Sequence, residues 1–195
     1  MGPAAPDAPG STRPLPVPTD ISPTAAPPSA PNSASSGQQP TAPRQLATSV
    51  ELAELARALT VPVAGIARSE LRDTYTEARG GRVHEAIDIL APRGTPVLSA
   101  TDGRLLRMFN SRPGGLMVYA TDASARFILL YGHLDAYADG LTDGMPLSRG
   151  QVIGYVGTTG NASPDTPHLH FGILRGDPNI SWWEGVPVNP YLLLR

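Results

Sequence analysis

From His84 to Leu174 the chain is a succession of short runs rich in Val, Ile, Leu and Tyr, each closed by glycine or proline. The runs are Ala86 to Leu90, Val97 to Ala100, Arg104 to Phe109, Leu116 to Ala120, Arg126 to Leu134, Val152 to Val156 and His168 to Leu174. They are too short for helices, and their turn residues come at close intervals. Such punctuation predicts a mainly β chain, an antiparallel sandwich or barrel-like fold.

The region before His84 differs. Residues 1–46 hold most of the chain's 22 prolines together with Ala and Ser, and almost no apolar side chain that could enter a core. Burial cannot offset ordering entropy in such a segment, so it is expected to be a disordered linker. Thr48-Ser49-Val50-Glu51 then has the form of a capping box, and Leu52, Leu55 and Leu59 recur at helical spacing. A short N-terminal helix ending before Pro62 is expected, within a lead-in of residues 47–60. The folded domain takes residues 61–195. The stretch from Gly65 to Gly81 is mixed, with a short helix expected around Ser69 to Thr76. At the other end, Ser181 to Leu194 reads as a loop carrying Trp182 and Trp183, closed by a Pro190-Tyr191 anchor.

A formal net charge of -2, with all 15 basic residues arginine and none clustered, argues against nucleic acid as a partner. The absence of cysteine removes disulfides and thiolate metal sites. No apolar run approaches the roughly 20 residues that span a bilayer. The first residues lack the basic and apolar regions of a secretory signal. The protein is therefore expected to be soluble where it is made, or to have lost a targeting segment.

Chemistry concentrates in four histidines, His84, His133, His168 and His170, all in or beside expected strands. A lone histidine is usually a surface or satisfied core residue; four with a well-placed carboxylate need a further account. On a strand of period two, His84 and Asp88 share a face with Ala86, and His168 and His170 point one way with Leu169 behind. Catalytic zinc takes three nitrogen or oxygen ligands and keeps one position for water. These five residues can supply three ligands and two imidazoles beside that water. A helical His-Glu-x-x-His site using Glu85 as base fails, because position 88 is Asp and Pro92 with Gly94 would end such a helix at once.

With these residues in view, the chain from about Val61 to Leu194 resembles the lysostaphin-type zinc endopeptidases, which cut peptide cross-links of bacterial cell walls. The resemblance runs through His84-Glu85-Ala86-Ile87-Asp88-Ile89, Gly94-Thr95-Pro96-Val97, Asp102-Gly103, Tyr131-Gly132-His133-Leu134, Gly150-Gln151-Val152-Ile153-Gly154, Gly157-Thr158-Thr159-Gly160 and His168-Leu169-His170-Phe171. It implies a small antiparallel β-sandwich with an open groove. It also implies one Zn2+ on His84, Asp88 and His170, with His133 and His168 contacting the catalytic water or the developing oxyanion. Two neutral imidazoles and one carboxylate leave such an ion net positive, which lowers the pKa of bound water towards ~7 and polarises a carbonyl. His168 is the preferred base and His133 the oxyanion stabiliser, with the roles interchangeable at this level. The implied substrate is bacterial peptidoglycan peptides, the implied location the periplasm, cell envelope or exterior, and the expected state a monomer.

Two departures stand out. Members commonly carry glycine where this chain has Ala86, a change small enough to be tolerated. A tyrosine upstream of the first ligand assists in some members; Tyr75 is the nearest candidate, without an assigned role. Trp182 and Trp183 are candidates for a substrate-groove wall, against plain packing of the C-terminal loop. Two other functions compete. Some relatives have lost zinc ligands and activate other wall hydrolases instead, whereas every ligand is present here. The Gly150 to Gly154 stretch also resembles biotinyl and lipoyl carriers, which need a lysine that this chain lacks.

Overall fold

A computed structural model describes residues 46–177 and 185–195. The capping box forms as expected: the Thr48 hydroxyl accepts from the Glu51 N–H, Glu51 reaches back to the Thr48 N–H, and helix α1 runs Ser49–Ala58. Its inner face lowers Leu55 into the core, and Leu59 follows at the C-cap. No helix among the described residues is long and apolar enough to cross a membrane.

The helix expected around Ser69 to Thr76 does not form. Only a 3-10 turn at Arg68–Glu70 is present, and Leu71 is already extended. Arg68 donates to the carbonyls of Leu59 and Leu194 and Leu71 is buried in the core, while Glu70 only closes the single turn by accepting from the Ala67 N–H. A hairpin follows, β1 (Ala78–Arg79) and β2 (Arg82–Val83), turned by Gly80 and Gly81 at φ 57° and 87°. Positive φ at both loop positions is the conformation that makes a two-residue turn follow the strand twist, and glycine adopts it freely.

The remaining strands are β3 (Ile87–Leu90), β4 (Pro96–Leu98), β5 (Gly103–Ser111), β6 (Gly115–Asp122), β7 (Phe127–Tyr137), β8 (Pro146–Leu147), β9 (Val152–Val156), β10 (His168–Arg175) and β11 (Val186–Val188). Among the described residues they form one nine-stranded antiparallel sheet, ordered β11-β10-β7-β6-β5-β8, with β3 paired to β10, β4 to β9 and β9 to β7. The seven expected strands are all present, shifted by a few residues at their ends. Of the segment read as a C-terminal loop, 186–188 is strand and Pro190–Leu194 is helix α2, which buries Leu194 completely.

Strand β7 organises the sheet. Its residues Phe127 to Gly132 pair with β10, and Leu134 to Tyr137 pair with β9. The exchange falls on His133, which has φ 58°, and the β6–β7 register slips opposite it, between Leu116 and Val118. A bulge of this kind bends a strand and redirects one side chain. On one face Leu129, Tyr131, Leu169, Phe171 and Ile173 join Ile87, Val97, Leu105 and Ile153 in the main core, all fully buried. Each such side chain contributes about 1.5–3 kcal/mol of burial. On the other face Ile128, Met117 and Tyr119 form a second cluster with Leu130 and Leu174.

Candidate metal centre

Asp88, His170 and Gly132 lie in one row across β3, β10 and β7, each the register partner of the next. A Cβ at position 132 would stand 3.4 Å from His170 Cβ and 3.6 Å from its ring, ordinary contact distances that place the imidazole directly over this backbone. On β10 the period of two holds: Leu169 and Phe171 enter the core while His168 and His170 face the site.

His84 reaches the same place by another route. The strand-face argument linking it to Asp88 through Ala86 is incorrect, because Glu85 has φ 58° and β3 begins only at Ile87. The left-handed residue turns the chain once, and the Glu85 N–H is held by the Tyr75 carbonyl at 2.9 Å. Glu85 itself is exposed and belongs to no strand. Ala86 is buried beside Gly172.

The three donors converge. His84 Nε2 is 3.0 Å from His170 Nδ1 and 3.1 Å from Asp88 Oδ1, and Asp88 Oδ1 is 3.3 Å from His170 Nδ1. Among the described residues these three form the grouping of side chains able to share a metal ion. Bond lengths of about 2.0–2.2 Å give a tetrahedral zinc site donor separations of about 3.3–3.6 Å, a few tenths of an ångström above the 3.0–3.3 Å here. His84 Nδ1 lies 3.0 Å from the Thr74 carbonyl, which can only accept, so Nδ1 carries the proton and Nε2 its lone pair. Electron-rich atoms packed this closely need a cation or a proton between them. The donor set and spacing therefore fit Zn2+.

His133 and His168 complete the site, with ring centroids 5.0 Å apart, and His133 stands 5.6 Å from His170. Each is pinned by its Nδ1, His133 at 2.8 Å from the Thr159 carbonyl and His168 at 2.8 Å from the Thr166 carbonyl. Both rings therefore turn an unprotonated Nε2 inwards when neutral. His168 Nε2 is 3.7 Å from Asp88 Oδ1. Burial pushes His133 down to about 4, against the Thr159 hydrogen bond and helped by the neighbouring imidazoles. Burial also opposes charge on His84, but hydrogen bonds to Asp88 and Thr74 outweigh it and raise its pKa. Asp88 is held well below the carboxylate range: burial would raise it, and hydrogen bonds from His170 and His84 reverse that.

Sequence reasoning missed the supports. Thr74 serves twice, its carbonyl fixing His84 and its hydroxyl accepting from the Asp88 N–H at 3.0 Å. The Thr159 hydroxyl bridges the Leu134 carbonyl and the Leu116 N–H, bracing the carbonyl that holds His133. A carbonyl carries no residue-type signal, and the two hydroxyls find their partners only through the fold. Tyr75 is half-buried; burial and Glu85 raise its pKa, and its hydroxyl makes no hydrogen bond among the described residues. Trp182 and Trp183 lie outside the described residues. Beside Asp88 opens a cavity of about 390 Å³ whose lining includes Ser69, Glu70, Arg72 and Leu90.

Comparison with known proteins gives consistent matches. The model of peptidase family M23 matches residues 82–190. The L-Ala–D-Glu endopeptidase of Bacillus subtilis is 34% identical over 132 residues, 64% of this chain and 39% of that protein. The DD-carboxypeptidase/endopeptidase Mpg of Neisseria meningitidis is 38% identical over 110 residues, 56% of this chain and 22% of that protein. The chain thus spans well under half the length of these relatives. Among solved structures, Csd3 of Helicobacter pylori superposes with a TM-score of 0.55 at 30% identity, over 71% of this chain and 35% of that one. The catalytic domain of lysostaphin from Staphylococcus simulans gives 0.52 at 26%, over 62% and 85%.

Proposed function

The chain belongs to peptidase family M23, and from that membership we propose that it is a zinc-dependent endopeptidase acting on the peptides of bacterial peptidoglycan, in the cell envelope or outside the cell. The observation that carries this reading is the convergence of His84 Nε2, Asp88 Oδ1 and His170 Nδ1 within 3.0–3.3 Å, faced by two further imidazoles. The substrate class follows the relatives, whose names include an L-Ala–D-Glu endopeptidase and a DD-carboxypeptidase/endopeptidase.

In this reading His84, Asp88 and His170 hold one Zn2+, which supplies Lewis acidity to a water and to the scissile carbonyl. The chain's own residues do the rest. His168, its Nδ1–H donated to Thr166, offers Nε2 as acceptor for the proton of the attacking water. Accepting that proton makes His168 an imidazolium, its Nε2 3.7 Å from Asp88 Oδ1. That imidazolium returns the proton to the leaving amine. His133 shares the same polarity through Thr159, so its Nε2 becomes a donor only once protonated. Stabilising the oxyanion falls to whichever ring carries the proton at that moment.

The test is digestion of purified peptidoglycans with and without a chelator, followed by mass analysis of the released peptides. Chelator-sensitive release of peptides with new amino termini is expected. Purified protein that retains zinc but releases nothing, while stimulating a separate wall hydrolase, would replace the enzyme with an activating module.

A further inference from the structure

The two oxygens of Asp88 have separate neighbours. Oδ1 faces His84, His170 and His168 at 3.1, 3.3 and 3.7 Å. Oδ2 turns away and accepts from Arg79 Nη2 at 2.7 Å. The same nitrogen donates to Glu77 Oε2 at 2.8 Å, one hydrogen to each carboxylate. Arg79 is brought there by the β1–β2 hairpin, whose Gly80-Gly81 turn leaves it as register partner of Arg82 and whose end runs directly into His84.

We propose that Arg79 is a positioning residue for the metal centre, holding Asp88 by its outer oxygen so that Oδ1 alone is presented to the ion. This rests on the zinc reading above. A free carboxylate can rotate and bind a metal through one oxygen or both. A charge-assisted hydrogen bond on Oδ2, about twice as strong as a neutral one, opposes that rotation. Single-oxygen binding leaves a coordination position open for water, which a catalytic zinc needs. The Asp88 N–H bond to the Thr74 hydroxyl fixes the backbone, so Arg79 and Thr74 hold the residue from both ends. Arg79 keeps half its surface in solvent and Asp88 little, so the hairpin lies over the outer edge of the site. Nothing else among the hydrogen bonds of the described residues occupies Oδ2.

The test uses the whole chain. Zinc affinity is measured by competition with a chromophoric chelator, and coordination by the visible absorption of the cobalt-substituted protein. Partners of metal-ligating residues typically contribute 10- to 100-fold to affinity or activity. Arg79→Met is therefore expected to weaken zinc binding by about 10- to 100-fold, and to weaken the cobalt bands as Asp88 gains a second contact. Arg79→Lys should recover part of both. Arg82→Met, on the facing position of the same hairpin, should change neither. Unchanged or tighter zinc binding by Arg79→Met with an unchanged cobalt spectrum overturns the assignment, the tighter result making Arg79 a competitor of the metal. An equal loss in Arg82→Met overturns it too, since the hairpin and not the guanidinium would then matter. Parent protein that binds no zinc, or keeps it after His170→Ala, removes the metal reading itself, a failure distinct from that of Arg79.

Discussion

Asp88 and His170 are direct register partners across two adjacent strands, with their donor atoms 3.3 Å apart. The candidate metal centre is thus built into the sheet ladder, and its geometry is as firm as the pairing. His170→Ala removes one donor without touching the core face of its strand. It should lose zinc and fall to the hydrolysis rate of chelated parent protein, with unfolding free energy of the metal-free forms within about 1 kcal/mol of each other. Metal analysis, peptidoglycan digestion and denaturant unfolding check the three parts, and retained cleavage would sink the ligand assignment.

His168 shares a strand face with His170 but is turned by Thr166 to offer Nε2 as an acceptor. His168→Ala should keep zinc and lose about 10²- to 10⁴-fold in turnover, the usual contribution of a positioned acid–base group. Loss of metal in that variant would mean that His168 is a ligand.

Glu85 sits at φ 58° with its side chain exposed. A non-glycine residue there costs about 1–2 kcal/mol, so Glu85→Gly should gain up to about 1 kcal/mol in stability with cleavage unchanged. An inactive Glu85→Gly protein with normal zinc content would restore Glu85 as the general base.

The lead helix is held to the sheet by Glu51, which accepts from the Thr48 N–H and from Arg175 Nη2 at 3.0 Å. These bonds lower its pKa from the ordinary 4.5. A depressed carboxyl contributes stability above its unfolded value and loses it as pH falls through the folded one. The protection factors of the α1 amides, taken relative to intrinsic exchange at each pH, should therefore fall below pH 4.5, ahead of those in β7 and β10. Glu51→Gln should exchange faster at neutral pH and respond less to acid. A helix whose protection is flat down to acid unfolding would remove Glu51 as the clasp.

Gly157 lies where a Cβ would be 2.4 Å from the Asp135 backbone nitrogen, and it bridges to His168. Gly157→Ala must displace backbone at the site. A loss of about 1–3 kcal/mol is expected, together with reduced turnover; unaltered melting and activity would show the contact to be slack.

Much of the site was legible in order but not in mechanism. His168-Leu169-His170 could be read because strand alternation is local and the structure keeps it. His84 and Asp88 were paired by the same rule, which Glu85 breaks. The helix expected at Ser69 to Thr76 failed because Arg68 bonds to Leu194 and Thr74 to His84 and Asp88, distant partners that local propensity does not register.

The sequence by itself determined the strand succession, the capped helix and which side chains have metal-binding chemistry, because alternation, capping and turn residues act over a few positions. Only the tertiary structure decided how they meet. The exchange of partners on β7 at His133, the left-handed turns at Glu85 and His133, and the carbonyls of Thr74 and Thr159 that set the tautomers of His84 and His133 depend on backbone brought together from distant segments. Backbone groups are the same in every residue type, so their placement is written in the fold and not in any one stretch of sequence.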